Sequence, residues 1–283
     1  MLNIIFILMF LCTANPSTVN RKEWEQAVLH VLHNLDVVEP FIDVHMNELR
    51  STYPKKSKNE KWLKEEHNRT FAKWIDEYCY ARRKNLDETL LKISSGPSQV
   101  VTRYTSWYVN GYTFYTRERD EKHPVQNSGV TFFAEGVHVA SAKDKNPKKA
   151  FMSYFGYVED IWELDYCGLR VGLFKCKWAD NNHVKVDNDG VTLVDFRRMS
   201  YANDSFMLAS QASQVFYVSD PVDQELSLVV HVNARNVKES NEEVEDITTI
   251  APFSIGLQSF EDVDDDDDVS FLLRRDIPAL EID

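Results

Sequence analysis

Between residues 22 and 93 the apolar positions recur at helical spacing. From 22 to 35 they are Trp24, Ala27, Val28, Val31, Leu32 and Leu35, a single stripe at i, i+3, i+4. Pro40, following Glu39, suits the first turn of a second helix, with Phe41, Val44 and Leu49 inward. A third helix is predicted over residues 60–80, where Trp62, Leu63, Phe71, Trp74, Ile75 and Tyr78 fall near one face. Residues 87–93 add a short helix that Ser95-Gly96-Pro97 stops.

After Pro97 the period changes. Residues 99–104 and 107–116 are rich in Val, Thr, Tyr and Phe, and between them Asn110-Gly111 is a strong hairpin signal because both residues tolerate positive φ. Strand-like runs follow at 130–133, 155–164, 169–178, 191–196, 214–218 and 226–232. The pattern predicts an α+β chain: a helical N-terminal segment, then a mostly antiparallel β region forming a small SH3-like barrel or a strongly bent sheet. Residues 1–20 read as an apolar leader-like segment, a signal peptide or a spurious start, 21–96 as the helical region and 97–142 as a β-hairpin region. Residues 150–235 read as a β domain and 236–283 as an acidic, largely disordered tail. Lys143 to Lys149, polar and containing Pro147, marks the internal boundary.

The charge balance narrows the choice of partner. Thirty-two Lys and Arg against 45 Asp and Glu give a net charge of −13. Nucleic-acid binding is driven by cations that neutralise phosphates, so direct nucleic-acid binding is disfavoured. The run Asp264 to Asp268 is self-repelling, and it lacks the alternating ligands and central Gly of a calcium loop. Ile4 to Leu11 is apolar and is followed by small residues suited to cleavage after Ala14, but it is too short to span a bilayer, which takes roughly 20 residues. If the chain is exported, Asn68 and Asn203 are glycosylation acceptors. Four cysteines are too few for a disulfide scaffold; Cys167 and Cys176 flank one hairpin, where a cross-strand bridge or two buried thiols would both fit.

The chemistry-bearing residues form no recognised catalytic pattern. His30, His33 and His45 are the tightest histidine cluster, but no H-E-x-x-H spacing exists, and half-buried or surface structural histidines are expected. Glu159, Glu163 and Asp165 would share one strand face and Asp160 the other, which reads as the solvated side of a sheet. No G-x-S-x-G, Walker or G-x-G-x-x-G motif occurs. The expectation is therefore a non-enzymatic chain with no catalytic residue, no metal and no cofactor. Tyr157, Trp162, Trp178 and Tyr217 are candidates to line an aromatic groove that holds a cation on its π faces, although core packing is the simpler role for those rings.

Four segments are distinctive: Tyr154 through Tyr166, Leu173 through Trp178, Phe206 through Ala212, and Gln214 through Pro221. In order and spacing they resemble the plant domain of unknown function 4216, found near the C-terminus of En/Spm-type (CACTA) transposon proteins, over roughly residues 151–232. Upstream pieces resemble the stretch preceding that domain: Val31-Leu32-His33-Asn34, Val38-Glu39-Pro40-Phe41-Ile42, His67 through Trp74, Val109 through Tyr112 and Gln126 through Val130. In one departure, Gln224-Glu225-Leu226 stands where such proteins usually carry a Trp after Asp220-Pro221. The resemblance implies an accessory C-terminal part without the upstream metal-dependent nuclease domain, with no catalytic residues to carry over. It implies a non-catalytic interaction module with a protein or chromatin partner, intracellular (nuclear or cytoplasmic), with no membrane role. The alternatives are a DNA-binding or assembly part of a transposition complex, or a secreted glycoprotein if residues 1–14 act as a signal peptide.

Overall fold

The computed structural model describes residues 14–138, 148–187, 190–200 and 204–234. The apolar run of the leader, most of the 143–149 boundary, Asn203 and the acidic tail lie outside the described residues.

Four helices form where the apolar stripes predict them: α1 (Arg21–His33), α2 (Glu39–Thr52), α3 (Glu60–Arg82) and α4 (Glu88–Ser94). The side chains of Asn20, Asn59 and Asp87 cap α1, α3 and α4 by accepting bonds from Lys22 N, Trp62 N and Thr89 N. On α2 the buried stripe is Ile42, His45, Met46 and Leu49, whereas Val44, expected inward, is 40% exposed. The i, i+3, i+4, i+7 register passes through a histidine, and reading by hydropathy alone chose its aliphatic neighbour.

Ahead of the helices, Asn15–Thr18, inside the stretch read as a leader, forms β1. After them come β2 (Val100–Tyr104), β3 (Ser106–Val109), β4 (Tyr112–Tyr115) and a one-turn helix α5 (Arg117–Asp120). Then follow β5 (Gly129–His138), β6 (Lys148–Tyr166), β7 (Leu169–Ala179), β8 (Lys185–Val186) and β9 (Thr192–Val194). The last are β10 (Met199–Ser200), β11 (Phe206–Leu208), β12 (Ser213–Ser219) and β13 (Ser227–His231). Asn110 and Gly111 turn β3 into β4 with φ of 54° and 79°. Cys167 and Gly168 make the same turn between β6 and β7, with φ of 53° and 90°. Cys167 is exposed and Cys176 buried, and both are free thiols.

One sheet runs β1-β2-β6-β5-β12-β13-β9-β8, with β7 beside β6 and with β10 and β11 beside β7; β3 and β4 pair separately. Every pairing is antiparallel. Strand β6 is the axis. Its residues 148–157 pair with β5, residues 161–163 pair with β2, and residues 156–166 pair with β7. A bulge at Glu159 separates the two halves.

The expected barrel or strongly bent sheet is not what forms, and helix and strand are not segregated along the chain. Strands and helices interleave: β1 precedes α1, and α5 stands between β4 and β5. The sheet ends at β1 and β8, which do not pair, so it stays open. The physical reason is that β6 and β7 are covered on both faces. Trp162, Leu164, Tyr166 and Leu173 join Leu32, Leu63, Phe71 and Ile75 in the core beneath the helices. Val158, Ile161, Phe174 and Cys176 join Tyr104, Trp107 and Phe114 beneath the β3–β4 hairpin. A sheet that carries a layer on each side gains nothing from closing on itself.

Of the acidic residues of β6, Asp165 is exposed as expected and Glu159 is half-buried, but the other two are not solvated. Asp160 and Glu163 are buried. Asp160 Oδ2 accepts from Trp162 Nε1 at 2.7 Å, and Oδ1 accepts from Arg103 Nε at 3.1 Å and from Ile161 N at 3.0 Å. Glu163 faces Arg170 at 3.6 Å, and burial raises its pKa. Side-chain carboxamides finish the sheet. Asn110 Nδ2 donates to the Ser210 carbonyl, and Gln214 Nε2 donates to that of Thr113. Gln126 both donates to Tyr217 O at 3.3 Å and accepts from Tyr217 N at 2.6 Å.

The hairpin can lie on the sheet because Gly172 has no side chain. A Cβ there would stand 2.5 Å from Cζ2 and 3.1 Å from Cε2 of the buried Trp107. Gly172→Ala is expected to lower stability by about 1–3 kcal/mol through overpacking, measured as a lower urea midpoint; an unchanged midpoint would show that the hairpin is not seated on that glycine.

Candidate functional site

The densest group of chemistry-bearing side chains lies between α1, α2 and α3. Each helix contributes one imidazole from its inner face: His33 from the last turn of α1, His45 from the buried stripe of α2 and His67 from that of α3. Of the three histidines expected to cluster, His33 and His45 do come together. His30 instead faces Asp204 at 3.6 Å. The member not anticipated is His67, which joins His33 and His45. Its place in the α3 stripe, four residues after Leu63 and four before Phe71, is the signal that locates it.

The three rings form one chain of hydrogen bonds. His33 Nε2 is 3.1 Å from His67 Nε2, and His67 Nδ1 is 2.8 Å from His45 Nδ1. His45 Nε2 lies 3.3 Å from Thr70 Oγ1, whose hydroxyl donates to the Glu66 carbonyl at 2.7 Å. That carbonyl can only accept, so for neutral rings, the form that burial favours, the proton order is fixed. The Thr70 oxygen accepts from His45 Nε2–H, His45 Nδ1 accepts from His67 Nδ1–H, and His67 Nε2 accepts from His33 Nε2–H. In this order each gap holds one proton.

Aromatic packing fixes the array. His67 stacks on Phe71 at 4.5 Å, and His45 lies 4.8 Å from Trp74, which continues to Tyr78 at 4.8 Å. Trp74 Nε1 donates to Glu48 at 2.9 Å. Burial disfavours the charged form of all three imidazoles, lowering His33 to about 4 and His67 to about 3, and it lowers His45 as well. The charged groups acting on the array are His30, Asp204 and Lys64 on His33, and Glu48 and Glu66 on His45. Adjacent rings meet through opposite nitrogens of His67, so the three cannot converge on one ion. Among the described residues no group of three or more His, Cys, Asp or Glu is placed to hold a metal.

The four rings expected to line an aromatic groove occupy different places. Trp162 and Trp178 are 1% and 2% exposed and belong to separate core clusters. Tyr157 and Tyr217 approach one another through Phe196, at ring distances of 5.7 and 4.6 Å. The Tyr217 hydroxyl donates into the sheet, to the carbonyls of Gly156 at 2.8 Å and Val130 at 3.2 Å, and Arg117 lies over the Tyr157 ring at 5.0 Å. Asn68, one of the two positions expected to accept glycan if the chain is exported, is exposed in mid-α3.

Residues 162–230, from the last, turn-ward part of β6 to β13, match the family described as Domain of unknown function (DUF4216). The chain therefore carries a DUF4216 domain, in agreement with the En/Spm (CACTA) resemblance of its second half; the histidine array lies outside the matched residues. No curated protein and no solved structure matches the chain. Among the described residues no helix is long and apolar enough to cross a membrane.

The array makes folding depend on pH. An unfolded histidine takes up its proton near pH 6.5, whereas the folded chain refuses it until about 4 at His33 and 3 at His67. Below that unfolded value the unfolded state binds more protons, so stability is fully present above it and falls as pH drops toward the folded values, by up to about 1.4 kcal/mol per pH unit for each excluded proton. Urea midpoints are expected to fall steadily below neutral pH, and His67→Gln to lower the starting stability while making the decline shallower. A wild-type midpoint that stays level down to the folded-state pKa values would contradict the assignment.

Proposed function

We propose that this chain is a non-catalytic, transposon-derived accessory module that acts through contact with a protein partner. The observation that carries the reading is how the side chains capable of chemistry are used. Asp160 is held by Arg103, Trp162 and the Ile161 backbone. Asp120 accepts the backbone N–H groups of Asn127 and Ser128 at 2.8 and 2.6 Å. Asp195 accepts from Arg197 Nε and its terminal nitrogen, both at 2.9 Å, which holds its carboxyl at about 2. Burial pushes the Cys176 thiol well up, away from the nucleophilic thiolate. Acid–base or nucleophilic catalysis needs such groups turned toward a substrate, in mutual reach and at a pKa near the working pH.

The net charge of −13 supports a protein or chromatin partner over direct contact with duplex DNA. An intracellular location, nuclear or cytoplasmic, follows from this reading.

The test is to purify the full chain with and without a nuclease-bearing transposase of En/Spm type. Stable co-elution of the two proteins is expected, with no DNA nicking by the chain alone in Mg²⁺ or Mn²⁺ and no salt-dependent gel shift. Cleavage by the chain alone that Asp160→Asn or His67→Gln abolishes would overturn the non-catalytic reading, and a gel shift that weakens steeply with salt would replace a protein partner by DNA.

A further inference from the structure

Between residues 50 and 64 the charged side chains are Arg50, Lys55, Lys56, Lys58, Lys61 and Lys64, against Glu60 alone. They occupy the end of α2, its connection to α3 and the first turns of α3, where the five lysines are exposed and Arg50 is half-buried. Elsewhere on these helices cations are balanced one turn away, as in Arg21–Glu25, Arg69–Glu66, Lys73–Glu77 and Lys92–Glu88. At the connection Lys61 alone has such a partner, Glu65. Arg50, Lys55, Lys56, Lys58 and Lys64 form no ion pair among the described residues.

The backbone holds these like charges together. Lys56 N and Ser57 N donate to the Tyr53 carbonyl at 3.0 and 2.9 Å, Asn59 N donates to that of Lys56 at 3.0 Å, and Asn59 caps α3 by accepting from Trp62 N. The repulsion between them is therefore built in, and an anion laid on the connection relieves it. An apolar surface adjoins the cations. The rings of Tyr53 and Trp62 meet edge to face, 5.6 Å apart, with Tyr53 40% exposed and Trp62 half-buried. The Lys56 ammonium lies 5.8 and 5.5 Å from them.

We propose that the α2–α3 connection is a docking face for an acidic segment of a partner protein. Carboxylates of that segment pair with Lys55, Lys56, Lys58 and Lys64, and one apolar side chain rests on Tyr53 and Trp62. The proposal rests on the reading of this chain as a contact module and names the chemistry of its partner. Charge complementarity carries it. Residues 236–283 hold 15 of the 45 Asp and Glu but only 3 of the 32 Lys and Arg, so the rest of the chain is close to neutral and this face is a local excess of positive charge. The excess is short. Glu39, Asp43 and Glu48 precede it on α2, and beyond it Arg69 and Lys73 are balanced, so it suits a short acidic peptide better than the long phosphate track of a nucleic acid.

The test uses the full chain labelled with ¹⁵N, with a twelve-residue Asp/Glu peptide carrying one central Phe, the same peptide with Ser for Phe, and a twelve-residue oligothymidylate as probes. The Phe peptide is expected to move the indole N–H signal of Trp62 and to bind less tightly as salt rises. The Ser peptide is expected to bind more weakly. Joint replacement Lys55→Gln, Lys56→Gln, Lys58→Gln and Lys64→Gln is expected to weaken the Phe peptide about ten-fold or more, while the urea midpoint holds or rises because repulsion is removed. Tyr53→Ser is expected to erase the preference for Phe over Ser. A motionless Trp62 signal, unchanged affinity in the lysine variant, or a urea midpoint that falls in it overturns the proposal. Tighter binding of the oligothymidylate than of the Phe peptide replaces the acidic protein by nucleic acid. Peptide affinity that rises ten-fold or more when Asp264 through Asp268 are replaced by Ser assigns the face to the chain's own acidic run and overturns the external partner. Failure here with transposase co-elution intact removes this face alone; failure of both removes the contact-module reading as well.

Discussion

Strand β6 carries apolar side chains on both faces, and the rest of the architecture follows from covering them. Trp162, Leu164 and Tyr166 point to the helices, while Val158 and Ile161 point to the β3–β4 hairpin. Each such side chain contributes about 1.5–3 kcal/mol when fully removed from water, so neither face can be left bare. The helical layer and the hairpin are thus two halves of one requirement. The Glu159 bulge breaks the pairing where β6 passes from β5 to β2, and Asp160 at that break is bonded by Arg103 of β2 and by the indole of Trp162. One carboxylate joins the two strands to the helix-facing core at the point where the ladder is interrupted.

The helices were legible in the sequence because their information is local. An apolar stripe, an Asn or Asp cap and a Gly-Pro stop all fall within a few residues of one another. The Asn110-Gly111 hairpin was legible for the same reason. The open sheet was not. Pairing of β1 with β2, of β2 with β6 and of β12 with β5 joins residues far apart in sequence, and period-2 alternation carries no record of which strand lies beside which. Spacing of short strands therefore suggested a barrel where a two-sided sheet exists. Val44 and His45 show the complementary failure: hydropathy ranks valine as the core residue, while the helical register buries the imidazole.

The histidine array shows why the candidate site was only half readable. His30, His33 and His45 are close in sequence and attract notice, but the central ring is His67, supplied by a helix that begins well after α2 ends. Its role depends on the way α3 crosses the other two helices. A buried imidazole is tolerable when its ring nitrogens find partners, and the order Thr70, His45, His67, His33 supplies both nitrogens of the two buried rings, His45 and His67. Polar residues here specify which helix faces meet, a role that aliphatic side chains of similar volume would leave less well defined.

Gln126 stands outside any strand, yet its amide presents one acceptor and one donor to the main chain of Tyr217. It imitates a single rung of a neighbouring strand and offers nothing to extend it. An unpaired strand margin is a template on which foreign chains can propagate. By filling the rung with a side chain, Gln126 closes the stretch of β12 that runs on past its pairing with β5, so no strand-pairing position is left open at Tyr217.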